Sequence, residues 1–415
     1  MRSPPSSVRA RLRLRPLVLL CALLVPLAAV AAQSDGCIDC HAKAAAAERD
    51  HPHQRAGIGC VDCHGGDGKQ RDKAAAKAAG TGYRGVIARQ DVPALCGDCH
   101  ADVKRMNPFG LPTDQLAQYR TSKHGEGLFT RSDTKVAVCV DCHGVHGVLE
   151  VRNPDSPVHP RHIADTCGRC HADAALMQAH NLEPTIVADY RQSVHAQLLA
   201  KGDLSAPQCA TCHGNHGATP PGFAAVGLVC GKCHVRQKEF FQKSPHQKLV
   251  DKGDFNSCVV CHGNHKVLPA QEAIFNRACK VCHAAGDKAL ATRDQLVATL
   301  QRTSAAYARG KTALERARRL GLATDDDQVL LENGRTALLE LQPAQHSLDP
   351  ALIQPIAREG EAVLQRLEQR LGEAETFEQR KRLALVPVVL FLALMSFGSW
   401  LRYRRIHGHG TEARS

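Results

Sequence analysis

The amino-acid sequence predicts a mainly α-helical protein with extensive loops, a C-terminal helical region and one transmembrane helix. Three observations predict this architecture. A five-residue pattern, C-x-x-C-H, occurs nine times between residues 37 and 283. Apolar residues then recur at helical spacing after residue 286, and an uncharged apolar run occupies residues 383–401.

The C-x-x-C-H motifs have the spacing that attaches a c-type haem covalently. Two thiols at this spacing can each add to a haem vinyl group, and the next histidine places its imidazole on the iron. A single copy would also suit a redox dithiol or half of a zinc site, and an array of zinc ribbons is the alternative for many copies. Because a ribbon does not need a histidine after every cysteine pair, the motifs predict nine covalent haem c groups.

Each motif therefore supplies two haem-attaching cysteines and one proximal histidine. The cysteines are Cys37, Cys40, Cys60, Cys63, Cys96, Cys99, Cys139, Cys142, Cys167, Cys170, Cys209, Cys212, Cys230, Cys233, Cys258, Cys261, Cys279 and Cys282. The proximal histidines are His41, His64, His100, His143, His171, His213, His234, His262 and His283.

The composition excludes other cysteine chemistry and an ordinary core. Of the 19 cysteines, only Cys21 lies outside the motifs, in the N-terminal leader, so none is left in the mature protein for a disulfide or a catalytic thiol. Aromatic residues make up only 4% of the chain. We therefore expect a haem-packed domain, in which haem faces supply most of the buried apolar surface between short helices and loops.

Residues 1–32 are typical of a secretory signal peptide. An apolar run, Leu17 to Val30, ends in Val30-Ala31-Ala32, which suits cleavage after Ala32 and a mature start at Gln33. The alternative is an uncleaved anchor. The basic residues before the run are Arg2, Arg9, Arg11, Arg13 and Arg15.

The apolar run at residues 383–401 is long enough to cross a bilayer, and the alternative is a buried soluble helix. Its two ends carry almost equal numbers of basic residues, so the positive-inside rule does not orient it. An exported haem domain would place residues 402–415 in the cytoplasm. The sequence thus predicts one C-terminal inner-membrane span, with the haem domain in the periplasm.

The formal net charge of +12 does not indicate a nucleic-acid partner. Five of the arginines lie in the predicted signal peptide, and others lie in the tail after the span. Each haem also brings two propionates, so the exported body would not be basic. A basic-patch function gains no support from this charge.

An internal repeat organises the motifs after Cys96. Each repeat reads S-x-H, then C-x-x-C-H-G-x-H, then C-x-x-C-H, and would carry two haems. Three copies are clear: repeat 1 begins at Ser122, repeat 2 at Ser193 and repeat 3 at Ser244. A degenerate repeat spans residues 51–100, and the motif at Cys37 stands alone before it. The predicted haem domain is therefore residues 33–285.

Histidines at fixed positions of this repeat are the predicted distal iron ligands. They are His124, His146, His195, His216, His246 and His265. One of His51 and His53 fits the degenerate repeat. Two further haems need a ligand from the other of these two or from a histidine elsewhere, or else remain five-coordinate; the predicted set includes both His51 and His53, and His162. The other candidates are His159, His180 and His346.

Residues 286–382 have a different character. Helical patterns cover residues 287–320 and 326–341, and a third begins at Asp349-Pro350 and runs towards the apolar segment. The region is predicted to form a helical stalk or bundle. A docking or dimer surface is the alternative.

The motifs and their repeat, at residues 37–283, resemble those of the multihaem c-type cytochromes. That class includes periplasmic electron carriers and the nitrite reductase and hydroxylamine oxidoreductase superfamily, whose anchored members also have long helices after the last haem. The resemblance implies electron transfer along closely spaced haems, between a membrane quinol-oxidising or other redox protein and periplasmic redox partners. The oligomeric state stays open.

The alternative hypothesis is that the chain is an enzyme and not an electron carrier. A multihaem reductase or oxidoreductase acting on a small nitrogen or sulfur oxyanion would need one iron with an open distal site. Nitrite reductases of the superfamily often have lysine as the proximal ligand of the catalytic haem, whereas all nine motifs here end in histidine. This difference counts against nitrite reduction. A filament subunit, a third class, is disfavoured by the membrane span.

Overall fold

The computed structural model describes residues 35–47, 51–269 and 273–407. Within these ranges the chain is helical and contains no strand, so the predicted mainly α fold with extensive loops is confirmed. The predicted signal peptide and its cleavage site lie outside the described residues, as do the last eight residues of the predicted cytoplasmic tail.

Most of the helices are short. From the first motif to residue 106 they are α1 (Cys37–Cys40), α2 (Ala42–Ala47), α3 (Pro52–Arg55), α4 (Cys60–His64), α5 (Lys73–Ala76), α6 (Val92–His100) and α7 (Val103–Met106). The middle of the chain forms α8 (Gln115–Thr121), α9 (Lys123–Arg131), α10 (Cys139–His143), α11 (Ile163–His171), α12 (Ala174–Ala179), α13 (Ile186–Arg191), α14 (Val194–Ala200) and α15 (Cys209–His213).

The last part of the haem region forms α16 (Phe223–Cys230), α17 (Val235–Phe241), α18 (Gln247–Lys252), α19 (Val259–His262) and α20 (Ala273–Ala278). Three longer helices follow the last motif: α21 (Lys288–Arg319), α22 (Asp325–Ala344) and α23 (Pro350–His407). Single 3₁₀ turns occur at Ala79–Thr81, Arg89–Asp91, Asn107–Phe109, Cys279–Val281 and Gln345–Ser347.

The described chain divides into two compact units. The small unit consists of residues 35–47 and 57–86 and contains the first two motifs. Backbone hydrogen bonds from the amide of Gly36 to the carbonyl of Gly68 (2.7 Å) and from Arg84 to His64 (2.8 Å) fold it together. The large unit consists of residues 51–56, 87–269 and 273–407 and contains the other seven motifs.

The first motif of each repeat is a helix of one turn. The residues at the two ends of this helix have roles in starting and ending the turn. In α10 the Asp141 carboxylate accepts a hydrogen bond from the backbone amide of Val138 at 2.7 Å and so caps the helix. The glycine after the motif histidine ends the turn with a positive φ, for example +85° at Gly144 and +81° at Gly214. Glycine adopts this conformation without steric cost, which accounts for the G in C-x-x-C-H-G.

Helices α21, α22 and α23 pack into a three-helix bundle in the large unit. Leu331, Leu364 and Leu367 are buried between them. A methyl group on Gly334 would lie 2.4 Å from the Leu364 side chain, so glycine permits this close crossing. Thr324 and Asp327 form a capping box at the start of α22. The bundle follows from the apolar spacing that predicted three helices here.

Helix α23 is 58 residues long and continues without interruption through the apolar run. Its most apolar window has a mean hydropathy of 2.1, and side chains such as Phe391 and Leu394 are exposed rather than packed against protein. Among the described residues it is the one helix long and apolar enough to cross a membrane. The predicted continuation of the third helix into the apolar run is confirmed.

Candidate haem sites

In the described residues, seven proximal histidines each lie opposite the ring of a second histidine. Four of these partners come from the S-x-H position of a repeat. Their ring centroids are separated by 6.0 Å for His53–His100, 6.2 Å for His124–His171, 6.4 Å for His195–His234 and 6.2 Å for His246–His283. In each case the S-x-H histidine faces the second motif of its own repeat.

The G-x-H histidines of repeats 2 and 3 lie opposite a motif of the preceding repeat. His216 of repeat 2 lies 6.1 Å from His143 of repeat 1, and His265 of repeat 3 lies 5.9 Å from His213 of repeat 2. The rings in these two pairs are nearly parallel, at 11° and 17°, whereas the four S-x-H pairs are inclined by 38–66°. The repeats are thus interleaved by their histidines.

These separations fit a haem iron between the two rings. With metal–nitrogen bonds of about 2 Å, two imidazoles bound through Nε2 on opposite sides of one iron have centroids roughly 6 Å apart. Iron ligation also requires the neutral ring. Burial lowers the pKa values of the paired histidines His53, His100, His124, His143, His171, His195, His213, His216, His246, His262, His265 and His346.

The serine of S-x-H places the histidine by capping a helix. Ser193 is fully buried, and its hydroxyl accepts a hydrogen bond from the backbone amide of Ala196 at 3.1 Å. This cap fixes the first turn of α14, which carries His195. Ser122 caps α9 in the same way through Gly125.

A tyrosine three residues before the serine positions the following motif. The hydroxyl of Tyr119 donates to the carbonyl of Ala137 at 2.9 Å, and that of Tyr190 donates to Pro207 at 3.1 Å. Each acceptor lies two residues before the next C-x-x-C-H. Repeat 3 has Phe241 at this position, which cannot donate such a bond.

One backbone hydrogen bond joins each repeat to the next. The amide of Lys123, the middle residue of S-x-H, donates to the carbonyl of Ala218, two residues after His216. The amide of Val194 donates in the same way to Val267, two residues after His265; both distances are 3.0 Å. These bonds hold His216 and His265 against the preceding repeat.

Hydrogen bonds at the far ring nitrogen orient two proximal histidines. Nδ1 of His64 lies 3.0 Å from the carbonyl oxygen of Gly85. Nδ1 of His283 lies 2.6 Å from a carboxylate oxygen of Asp287, which also caps α21. Such partners leave Nε2 free as the ligand atom, and a carboxylate makes the ligand more basic.

The cysteine side chains of successive motifs also lie near one another. The thiols of Cys96 and Cys139, of Cys167 and Cys209, and of Cys230 and Cys258 are close enough to share a hydrogen bond before haem attachment converts them to thioethers. Burial raises the pKa values of three other thiols, and a thiol of the next motif raises each of them further. These pairs are Cys142 with Cys170, Cys212 with Cys233, and Cys261 with Cys279. The third to ninth motifs therefore form one continuous series in chain order.

Other predicted ligands are not placed opposite a motif histidine by the described contacts. Nε2 of His162 lies 2.8 Å from the carbonyl oxygen of Pro154, a position that does not support iron ligation. Nε2 of His180 lies 3.5 Å from Asp133.

His51 is buried, and neither of its ring nitrogens has a hydrogen-bond partner within the described ranges. Such a histidine could bind an iron, but none of the motif histidines is assigned to it. Its neighbour His53 occupies the S-x-H histidine position and faces His100. The ligand role of His146 stays a prediction from its repeat position. His346 faces His262 at 6.1 Å; the sequence offered it only as one of several alternatives.

Comparison with known proteins agrees with this chemistry. Residues 25–65 and 229–305 match the family model of cytochrome c554 and c-prime; these segments contain the first two motifs and the last three, and cover less than half of the chain. No curated protein and no solved structure matches the chain. The family match supports a c-type multihaem cytochrome, with covalently bound haem c and a haem-based role in electron transfer.

Proposed function

We propose that the chain is a membrane-anchored, periplasmic cytochrome with nine haem c groups. It carries electrons along its haems between a membrane quinol-linked donor and periplasmic redox partners. The C-terminal part of α23 anchors it in the inner membrane, and the haem domain is exported with the signal peptide. All nine motifs bind haem, because each one is complete in the sequence.

The continuous series of motif contacts is the observation that carries this proposal. From Cys96 to His283 a cysteine of each motif lies near a cysteine of the next motif. Haems attached to adjoining motifs lie close together, as fast electron transfer requires. A multihaem reductase would need such a relay too, so the series of motifs supports electron transfer but does not by itself argue against catalysis.

The paired histidines also favour a carrier. An iron held between two imidazoles has no free position for a substrate, and its axial ligands tune its potential. The rival reductase would need one open iron. Such an iron would have to lie outside the seven histidine pairs described above.

The proposal is tested on the full-length protein purified in detergent. Intact mass spectrometry should give nine covalent haems, and voltammetry should show reversible electron uptake by all of them. Addition of nitrite, hydroxylamine or sulfite should leave the current unchanged. A catalytic current that rises with the concentration of one of these substrates would overturn the carrier and support the reductase.

A further inference from the structure

The eighth motif has a histidine partner from outside the haem region. His262, its proximal histidine, faces His346 with ring centroids 6.1 Å apart. His346 lies in the 3₁₀ turn Gln345–Ser347, between α22 and α23 of the three-helix bundle. We propose that His346 is the distal iron ligand of the eighth haem, so that the helical bundle completes the last repeat. This inference rests on the proposed nonahaem cytochrome.

The geometry of this pair matches the G-x-H class. The His262 and His346 rings are inclined by 18°, close to the 11° and 17° of the two G-x-H pairs and far from the S-x-H pairs. His262 belongs to the first motif of repeat 3, the motif type that takes its partner from the next repeat. Because no repeat follows, the bundle supplies the missing histidine.

The ring of His346 is oriented for ligation. Its Nδ1 lies 3.1 Å from the carbonyl oxygen of Pro343, which fixes the proton on Nδ1 and leaves the lone pair of Nε2 free. The carbonyl belongs to the last turn of α22. The bundle therefore holds the imidazole in the required tautomer.

Apolar packing fixes the bundle against repeat 3. Phe240 of α17 and Phe275 of α20 pack on a cluster that includes the fully buried Leu341 and Ala344 of α22. Leu348 packs on the same cluster and adopts a left-handed conformation, with φ of +52°. A non-glycine residue rarely adopts this conformation except where the surrounding structure imposes it.

The test compares His346→Ala with His216→Ala and His180→Ala in the full-length holoprotein. Low-temperature EPR of the oxidised protein measures the high-spin fraction, and mass spectrometry checks that all haems remain attached. His346→Ala and His216→Ala should each convert about one haem in nine to high spin, since one distal ligand is lost. Added imidazole should restore the low-spin signal in both, and His180→Ala should resemble the unaltered protein.

The outcomes separate this inference from the proposed function. If His216→Ala converts one haem to high spin and His346→Ala converts none, His346 is not a ligand, but the proposed cytochrome with ligands shared between repeats is retained. If neither variant opens a haem, the coordination scheme of the proposed function fails as well.

A second variant, His346→Met, keeps a side chain that can bind haem iron and should raise the potential of one haem, because methionine ligation favours the reduced state. Potentials identical to those of the unaltered protein would overturn the inference.

Discussion

Replacing His195 by alanine should remove one axial ligand from a single haem iron and leave the other haems unchanged. The His195 ring lies 6.4 Å from His234, and this pair provides both axial ligands of the seventh haem in our scheme. The variant keeps His234 and the two cysteines of the same motif, so the haem should stay attached. The iron then loses one imidazole and becomes high spin.

The size of the effect follows from the stoichiometry. One distal ligand serves one iron, so about one ninth of the haem iron should appear as high-spin signal in quantitative EPR at low temperature. The remaining signal should keep the shape seen in the unaltered protein, since the other histidine pairs do not include His195.

His180→Ala is the matched control, because His180 lies beside Asp133, and Phe109, which stands as far before Ser122 as His180 stands before Ser193, cannot bind iron. It should therefore raise the high-spin fraction less than His195→Ala does. If His195→Ala leaves the high-spin fraction unchanged and His180→Ala increases it, the use of repeat position and ring separation to find ligands is wrong.

Three further predictions follow from single features of the structure. A stop codon in place of Leu383 should release a soluble protein with an unchanged haem spectrum; recovery in the membrane pellet at high salt would place the anchor elsewhere. Ser193→Ala should destabilise the start of α14 by about 1 kcal/mol, seen as a lower thermal midpoint and a partly high-spin seventh haem, and Ser193→Thr should retain most of both. Asp287→Asn should raise the potential of the ninth haem alone, because His283 loses a carboxylate partner; an unchanged redox titration would contradict this.

The sequence predicts the motif chemistry and the helical regions because both depend on short-range patterns. C-x-x-C-H fits in one helical turn, and the apolar spacing of residues 287–371 directly encodes the faces that pack in the bundle. The repeat also identifies which histidines recur. It left open which of His51 and His53 fits the degenerate repeat; in the structure His51 precedes a helix, as the serine of S-x-H does, and His53 lies opposite His100.

The partner of each histidine could not be derived from spacing. His216 and His143 are brought together by a backbone bond between Lys123 and Ala218, which joins residues far apart in the chain. Nothing in the local pattern shows that a G-x-H histidine faces the preceding repeat rather than its own. His346 is harder still, because it lies in a helix connection without a motif of its own, and only its position in space reveals it.

Interleaved ligands have a consequence for how such a chain can be built. In an ordinary repeat protein each repeat buries its face against its neighbours, and the terminal repeats need caps. In our scheme the dependence is chemical as well, since the histidine that lies opposite the first motif of repeats 1 and 2 comes from the following repeat. An array of any length therefore ends with one incomplete pair. The bundle that provides His346 meets this need, and its third helix continues into the candidate membrane span. The same element would then complete the last repeat and tether the haem domain to the membrane.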